Sequence, residues 1–125
     1  MKAYIFPGQG SQFKGMGKEL FKNKLGKKIF KESDEILGFK ISEIMLEGST
    51  EELKKTKVTQ PSIFIFSVIL SKLLNKSFKP DAVAGHSLGE FSALAAAEGI
   101  SFSEGLLLVK KRAEAMHDAC ELTKG

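Results

Sequence analysis

Apolar residues in this 125-residue chain recur in two ways, and each way predicts a different kind of element. Short apolar runs at residues 3–6 and 81–84, each next to proline or glycine, are typical of buried strands. Apolar residues spaced by three or four positions, as at Leu25, Ile29 and Ile36, are typical of helices with one buried face. Together the two patterns predict an α/β domain.

The apolar segment at residues 62–75 is ambiguous, because Ile63 to Phe66 would also suit a buried strand. Its length and the preceding Pro61, a residue favoured in the first turn of helices, favour a buried helix. The segment falls short of the roughly 20 apolar residues that span a bilayer, so no membrane association is expected. Helices are therefore predicted at residues 18–37 (with a break near Gly26), 41–46 (closed by Gly48), from 49 onwards and at 62–75.

The last predicted helix begins at a capping box, in which Ser101 precedes Glu104 by three residues. Apolar residues then repeat at intervals of four and three, which predicts an amphipathic helix with this stripe packed inward. The single cysteine belongs to the stripe and is interpreted as a small packed side chain rather than a reactive thiol. The stripe consists of Phe102, Leu106, Val109, Ala113, Met116 and Cys120.

The two predicted strands are separated by a long helical stretch, so we expect them to pair in parallel through a helical crossover. A parallel sheet of only two strands is not expected to be stable by itself, because such sheets are usually covered on both faces and have several strands. We therefore interpret the chain as part of a larger α/β unit. No internal repeat or low-complexity tract divides it.

Charge and cysteine content restrict the classes of partner. The formal net charge is +4, and lysines concentrate at residues 22–31, which we interpret as a solvated helix face. Docking of an acidic protein or a phosphorylated carrier is the alternative. Nucleic acid is not expected as a partner, because no aromatic residues alternate with these lysines and no reader motif is present. A single cysteine cannot form an internal disulfide, which agrees with a reducing cytoplasm.

Residues 85–90 read Gly-His-Ser-Leu-Gly-Glu and lie between a predicted strand and an alanine-rich helix, as a nucleophile elbow requires. A sharp strand-to-helix turn would expose the hydroxyl of Ser87, and Gly85 and Gly89 would let the neighbouring chain pass closely. The amide of Leu88 and the helix dipole could then stabilise an oxyanion. The alternative is a glycine-punctuated junction that contains a serine by chance.

The loop at residues 8–12 (Gly-Gln-Gly-Ser-Gln) follows the first predicted strand, where enzymes with such elbows place a second oxyanion donor. Gln12 is the candidate donor. Two alternatives remain open: an ordinary structural loop, and a dinucleotide-binding turn, for which the spacing from Gly10 to Gly15 is a poor match.

Four segments match, in order, motifs of a known family: residues 8–12, residues 59–62 (Thr-Gln-Pro-Ser), residues 85–90 and Arg112. The chain resembles the malonyl-CoA:acyl-carrier-protein transacylases over essentially its whole length. The resemblance implies the helix-rich N-terminal part of an α/β-hydrolase-like acyltransferase large subdomain, with a short parallel sheet and a nucleophile elbow. Residues 1–125 would be a partial large subdomain, and the ferredoxin-like small subdomain and the remaining sheet would lie outside this chain.

The resemblance also implies the roles of individual residues. Ser87 would be the acyl-accepting nucleophile, and Arg112 would pair with the malonyl carboxylate, which a guanidinium matches bidentately. Without the resemblance, a solvated or salt-bridged helix arginine would be the ordinary interpretation. The backbone amides of Gln12 and Leu88 would form the oxyanion hole, and Gly85, His86 and Gly89 would support the elbow.

The implied reaction transfers malonyl from malonyl-CoA to the phosphopantetheine thiol of acyl carrier protein through a seryl ester, in cytoplasmic fatty acid biosynthesis. It needs no metal and no permanently bound cofactor. His86 is a poor base for Ser87, because adjacent side chains on a sharp turn point apart, and His117 reads as a partly exposed helix residue.

The family's base histidine would lie beyond Gly125, in a longer chain or in a missing C-terminal half, so we expect the isolated chain to be inactive. A serine esterase or thioesterase, and a non-catalytic fragment that binds a partner half, are the alternatives.

Overall fold

The computed structural model describes residues 2–74 and 79–123, in which helices outnumber strands. The first strand is followed by five helices before the second strand, and two further helices follow that strand. The elements are β1 (Ala3–Phe6), α1 (Lys18–Phe21), α2 (Lys24–Leu37), α3 (Ile41–Glu47), α4 (Thr50–Lys54), α5 (Thr56–Leu74), β2 (Ala82–Gly85), α6 (Gly89–Ala96) and α7 (Phe102–Thr123).

The two strands pair in parallel, with Ala3 opposite Ala82 and Phe6 opposite Gly85. Helices α1 to α5 form the crossover between them, so the predicted parallel pair with a helical connection is confirmed. Much of this sheet is accessible to solvent, and Ile5 is 78% exposed. Parallel strands are normally covered on both faces. The described residues thus leave apolar sheet surface uncovered.

Helix α5 forms the centre of the helical core. Phe64, Ile65 and Ile69 are fully buried on it, and α2, α4, α6 and α7 all pack against it. The predicted helix is confirmed, but it begins at Thr56, because the amides of Val58 and Thr59 bond to the carbonyl of Lys55. By length and composition the helix could cross a membrane, yet 67% of its apolar window is buried, as in a core helix.

The predicted break in the first helical region lies at residues 22–23 rather than near Gly26. Asn23 caps the start of α2, and its side-chain oxygen accepts a hydrogen bond from the amide of Leu25 at 3.0 Å. This cap satisfies an amide at the helix start, so the interruption occurs where an asparagine can supply it. Gly26 is buried inside α2. The lysines at residues 22–31 are all exposed, which agrees with a solvated face and equally with the docking alternative.

Helix α7 begins at its predicted cap, where the hydroxyl of Ser101 accepts a hydrogen bond from the amide of Glu104 at 3.2 Å. The apolar stripe is buried only as far as Ala113. Met116 is 38% exposed and Cys120 is exposed, so the prediction that both pack inward was wrong. The physical reason is that the other described elements bury this face of the 22-residue helix only through Ala113; beyond it, Met116 reaches α5 through the contact of its sulfur with Gln60.

Candidate active site

The turn after β2 has the geometry that a nucleophile elbow requires. Ser87 has a φ of +57°, in the left-handed region that residues with a side chain rarely adopt. Such a conformation is strained, and it persists only where the surrounding structure enforces it. The residue is exposed. Its hydroxyl is therefore accessible at the junction between β2 and the start of α6.

Close backbone packing explains both glycines of the elbow. A Cβ atom on Gly85 would lie 2.0 Å from the carbonyl carbon of Gly89, and one on Gly89 would lie 2.1 Å from the carbonyl oxygen of Phe6. Neither position can accept a side chain without backbone movement. The amide of His86 also donates to the carbonyl of Phe6 at 3.0 Å, which ties the elbow to the end of β1. The turn is thus held in its strained form by tertiary contacts.

Arg112 reaches the elbow from the middle of α7. One guanidinium nitrogen, Nη2, donates to the hydroxyl oxygen of Ser87 at 2.9 Å. The other, Nη1, donates to the side-chain oxygen of Gln60 on α5 at 2.7 Å. The guanidinium carbon lies 5.7 Å from the ring centre of Phe91 on α6, within cation–π range. Three helices and the elbow therefore converge on one cation, the only arginine among the chain's 19 basic residues.

Gln60 is the site residue to which sequence reasoning assigned no role. It is fully buried, and its side-chain nitrogen donates to the sulfur of Met116 at 3.1 Å. The signal was present in the sequence, because residues 59–62 belong to the matched motifs and Gln60 is a large polar residue at the start of an apolar helix. The spacing along the chain could not reveal its partner, which is 52 residues away.

The two candidate oxyanion donors occupy different surroundings. Leu88 precedes α6 and its side chain is fully buried. Among the hydrogen bonds within residues 2–74 and 79–123, its amide reaches no protein acceptor, whereas the next amide, of Gly89, donates to the carbonyl of His86. Gln12 is half-buried in the loop after β1, and its side-chain oxygen accepts from the amide of Gly10 at 2.8 Å. The side chain of Gln12 is therefore engaged within its own loop.

Neither histidine of the chain hydrogen-bonds to the hydroxyl of Ser87 in the part of the structure that is described. His86 is exposed on the elbow, and His117 is half-buried on α7, as expected. The same residues contain no group of three histidine, cysteine or acidic side chains that could hold a metal ion. Within the described ranges, the hydroxyl of Ser87 thus faces the guanidinium of Arg112 and neither histidine.

Residues 3–123 match the profile of the family described as the acyl transferase domain. The chain belongs to this family. It is 46% identical over 125 residues to the malonyl CoA-acyl carrier protein transacylase of Bacillus subtilis (strain 168). The aligned region covers 98% of this chain and 39% of that relative. A polyketide biosynthesis malonyl CoA-acyl carrier protein transacylase of the same organism, PksC, is 48% identical over 118 residues and is covered to 40%.

Solved structures agree with the fold as well as with the family. The crystal structure of the Synechocystis sp. PCC 6803 malonyl-CoA:ACP transacylase superposes with a TM-score of 0.90 at 47% identity. That match covers 95% of this chain and 41% of the other. A second structure holds a type II PKS acyl-carrier protein in complex with its malonyl-transacylase; it gives a TM-score of 0.86 at 38% identity. The chain thus spans about two fifths of the length of these four relatives.

Proposed function

We propose that the protein containing these residues transfers a malonyl group from malonyl-CoA to the phosphopantetheine thiol of acyl carrier protein. The proposal is carried by one observation, the 2.9 Å hydrogen bond from the Arg112 guanidinium to the hydroxyl of Ser87 on its strained turn. A cation one hydrogen bond from a nucleophile suits an acyl group that carries its own carboxylate. A hydrolase of neutral acyl groups would gain nothing from it.

In the proposed first step, the hydroxyl oxygen of Ser87 attacks the thioester carbonyl and the carbon–sulfur bond breaks. Coenzyme A leaves as its thiol, and the serine proton passes through a base to the sulfur. In the second step the carrier thiol attacks the seryl ester, which regenerates the serine hydroxyl. The amides of Leu88 and Gln12 and the start of α6 would stabilise the oxyanion of each tetrahedral intermediate. Gly85, His86 and Gly89 would hold the turn.

Arg112 would bind the free carboxylate of the malonyl group. A guanidinium presents parallel N–H donors that match the two oxygens of a carboxylate, which a lysine cannot do. Nη2, now bonded to Ser87, would exchange that weak neutral acceptor for a charged one when the substrate enters. The acyl carbon and the carboxylate of malonate are separated by a single carbon, so one cation beside the nucleophile serves this short acid.

The base for Ser87 would come from polypeptide outside these residues, in the C-terminal half of the same enzyme. Loss of a serine's partner base costs about 10⁶ in rate in serine proteases, so the chain by itself would be almost inactive. The residues would form part of the large subdomain of a cytoplasmic enzyme that needs no resident cofactor. We propose fatty acid biosynthesis as its pathway; the match to a polyketide relative favours polyketide biosynthesis as the second candidate.

The proposal can be tested in a chimera in which these 125 residues replace the matched segment of the Bacillus subtilis relative. Intact mass after incubation with malonyl-CoA should reveal one malonyl adduct, which Ser87→Ala should abolish and the control Ser103→Ala should retain. Adding carrier protein should move the adduct to its phosphopantetheine thiol. An adduct on the Ser87→Ala variant, or release as free malonate despite the carrier, would contradict the proposed transfer.

The role of Arg112 has its own test in the same chimera. Arg112→Ala should lower malonyl loading about 10- to 100-fold, as expected for a lost hydrogen bond to a charged group, with little change in acetyl loading. Lys111→Ala is the matched control, because it removes an exposed charge from the adjacent position. Equal losses for malonyl and acetyl groups would remove Arg112 from carboxylate binding.

A further inference from the structure

We infer that Gln60 is the positioning residue that aims Arg112 at Ser87 while leaving its charge available, and so supports selection of acyl groups that end in a carboxylate. This inference rests on the proposed function. Gln60 would touch neither substrate nor nucleophile, and it would act entirely through the guanidinium.

The contact between the two side chains is short and partly buried. The oxygen of Gln60 accepts from Nη1 of Arg112 at 2.7 Å, and Gln60 is fully buried. A hydrogen bond with one charged partner is stronger than a neutral one, and a low-dielectric setting strengthens it further. Because Nη1 is held, the rotation of the planar guanidinium is restricted, and Nη2 faces the hydroxyl of Ser87.

Arg112 determines which end of the Gln60 amide faces it, and Met116 partners the opposite end. A guanidinium has only donors, so the amide oxygen must point toward it and the amide nitrogen must point away. That nitrogen meets the sulfur of Met116 at 3.1 Å, a weak acceptor that partners a buried donor. The chain Met116–Gln60–Arg112–Ser87 therefore has one consistent order of donors and acceptors.

Gln60 is neutral, so its hydrogen bond leaves the positive charge of Arg112 uncompensated. The ion pairs within the described ranges are Lys22–Glu19 and Lys54–Glu51, so Arg112 pairs with no carboxylate of its own there. An acidic residue in place of Gln60 would hold the guanidinium equally well but would compete for its charge. An amide holds it without neutralising it, which leaves the cation for a carboxylate brought by the substrate.

The first measurement uses the 125-residue chain itself. Its single arginine gives a single set of side-chain signals in nitrogen-15 NMR, which are assigned without further experiment. Restricted rotation should resolve the Nη protons in the unmodified chain, and Gln60→Leu should average them. Averaged signals in the unmodified chain, or resolved signals in the Gln60→Leu variant, would overturn the positioning role.

The second measurement is the ratio of malonyl to acetyl loading in the chimera described above. Gln60→Glu, which is nearly isosteric, should lower the ratio at least about tenfold through a competing carboxylate. Thr59→Val is the control, because Thr59 is buried beside Gln60 and bonds to the carbonyl of Leu53 instead of to Arg112. The control should change stability and leave the ratio unchanged.

Failure of this inference and failure of the proposed function are distinguishable. If Arg112→Ala lowers the ratio and Gln60→Glu does not, the neutrality of Gln60 has no role in selection, that part of the inference is overturned, and carboxylate binding by Arg112 stands. If Arg112→Ala leaves the ratio unchanged, the proposed carboxylate binding is contradicted, and the inference about Gln60, which rests on it, is overturned as well. A ratio lowered as much by Thr59→Val as by Gln60→Glu would show a general packing effect and overturn the role of Gln60.

Discussion

The helical core and the strand end of this molecule are built in different ways. Phe30, Phe64 and Ile41 in the helical core are fully buried, whereas Ile5 on β1 is 78% exposed. The helices therefore derive their stability from apolar burial. The strand end relies on backbone hydrogen bonds and on close glycine contacts at the elbow. The core is held by many apolar side chains, whereas the turn is held by backbone contacts at a few positions.

The candidate site joins these two regions. Gln60 and Arg112 come from helices of the buried core, and Ser87 comes from the exposed strand end. The cation is thus held by a side chain of the buried core, and the hydroxyl of Ser87 lies at the exposed surface. Substitutions in the two regions should consequently differ in their cost to the free energy of unfolding.

The largest effect is expected at the elbow. Gly85→Ala should destabilise the fold by more than about 4 kcal/mol, because its new Cβ would overlap the backbone of Gly89. Gly99→Ala is the matched control, since its Cβ would lie 3.4 Å from Leu94 and would require only a small adjustment. Urea unfolding of both variants measures the difference. Similar midpoints would show that the elbow is not held by close backbone contact.

A smaller effect is expected from removing an aromatic ring in the core. Phe64 is fully buried and stacks on Phe102 with ring centres 5.8 Å apart. Phe64→Ala should cost about 3–5 kcal/mol of unfolding free energy through lost burial and a cavity. Ile5→Ala should cost much less, because Ile5 buries little surface in this structure. Equal costs, measured by urea unfolding, would erase the distinction between the two regions.

The smallest effect is expected at the start of α7, the helix that carries Arg112. Ser101→Ala removes the acceptor for the amide of Glu104 and should cost about 1 kcal/mol, a typical value for an N-cap. Ser103→Ala, two residues further on, is the control and should cost less. Thermal unfolding of the two variants measures the difference in their stability. A loss of malonyl loading in a chimera that carries Ser101→Ala and remains folded would mean that the cap also positions the site.

Local patterns predicted most of the elements and the elbow. The capping residue Ser101, the glycines around Ser87 and the parallel pairing of the two strands all follow from residues a few positions apart or from connection length. The break before α2 was misplaced because a glycine is tolerated inside a helix, whereas the asparagine cap at Asn23 is a more specific interruption. The exposure of Met116 depends on where neighbouring helices end, which periodicity along one helix does not report.

The amino-acid sequence by itself determined the strained strand-to-helix turn and, through a family resemblance, singled out Ser87 and Arg112. Only the tertiary structure decided that Arg112 meets Ser87 across 25 residues and Gln60 across 52. The reason is physical: helix caps and turns are governed by neighbours within a few residues, whereas side-chain hydrogen bonds between helices depend on how those helices pack. The buried amide of Gln60, which holds the cation without neutralising it, belongs to that second class.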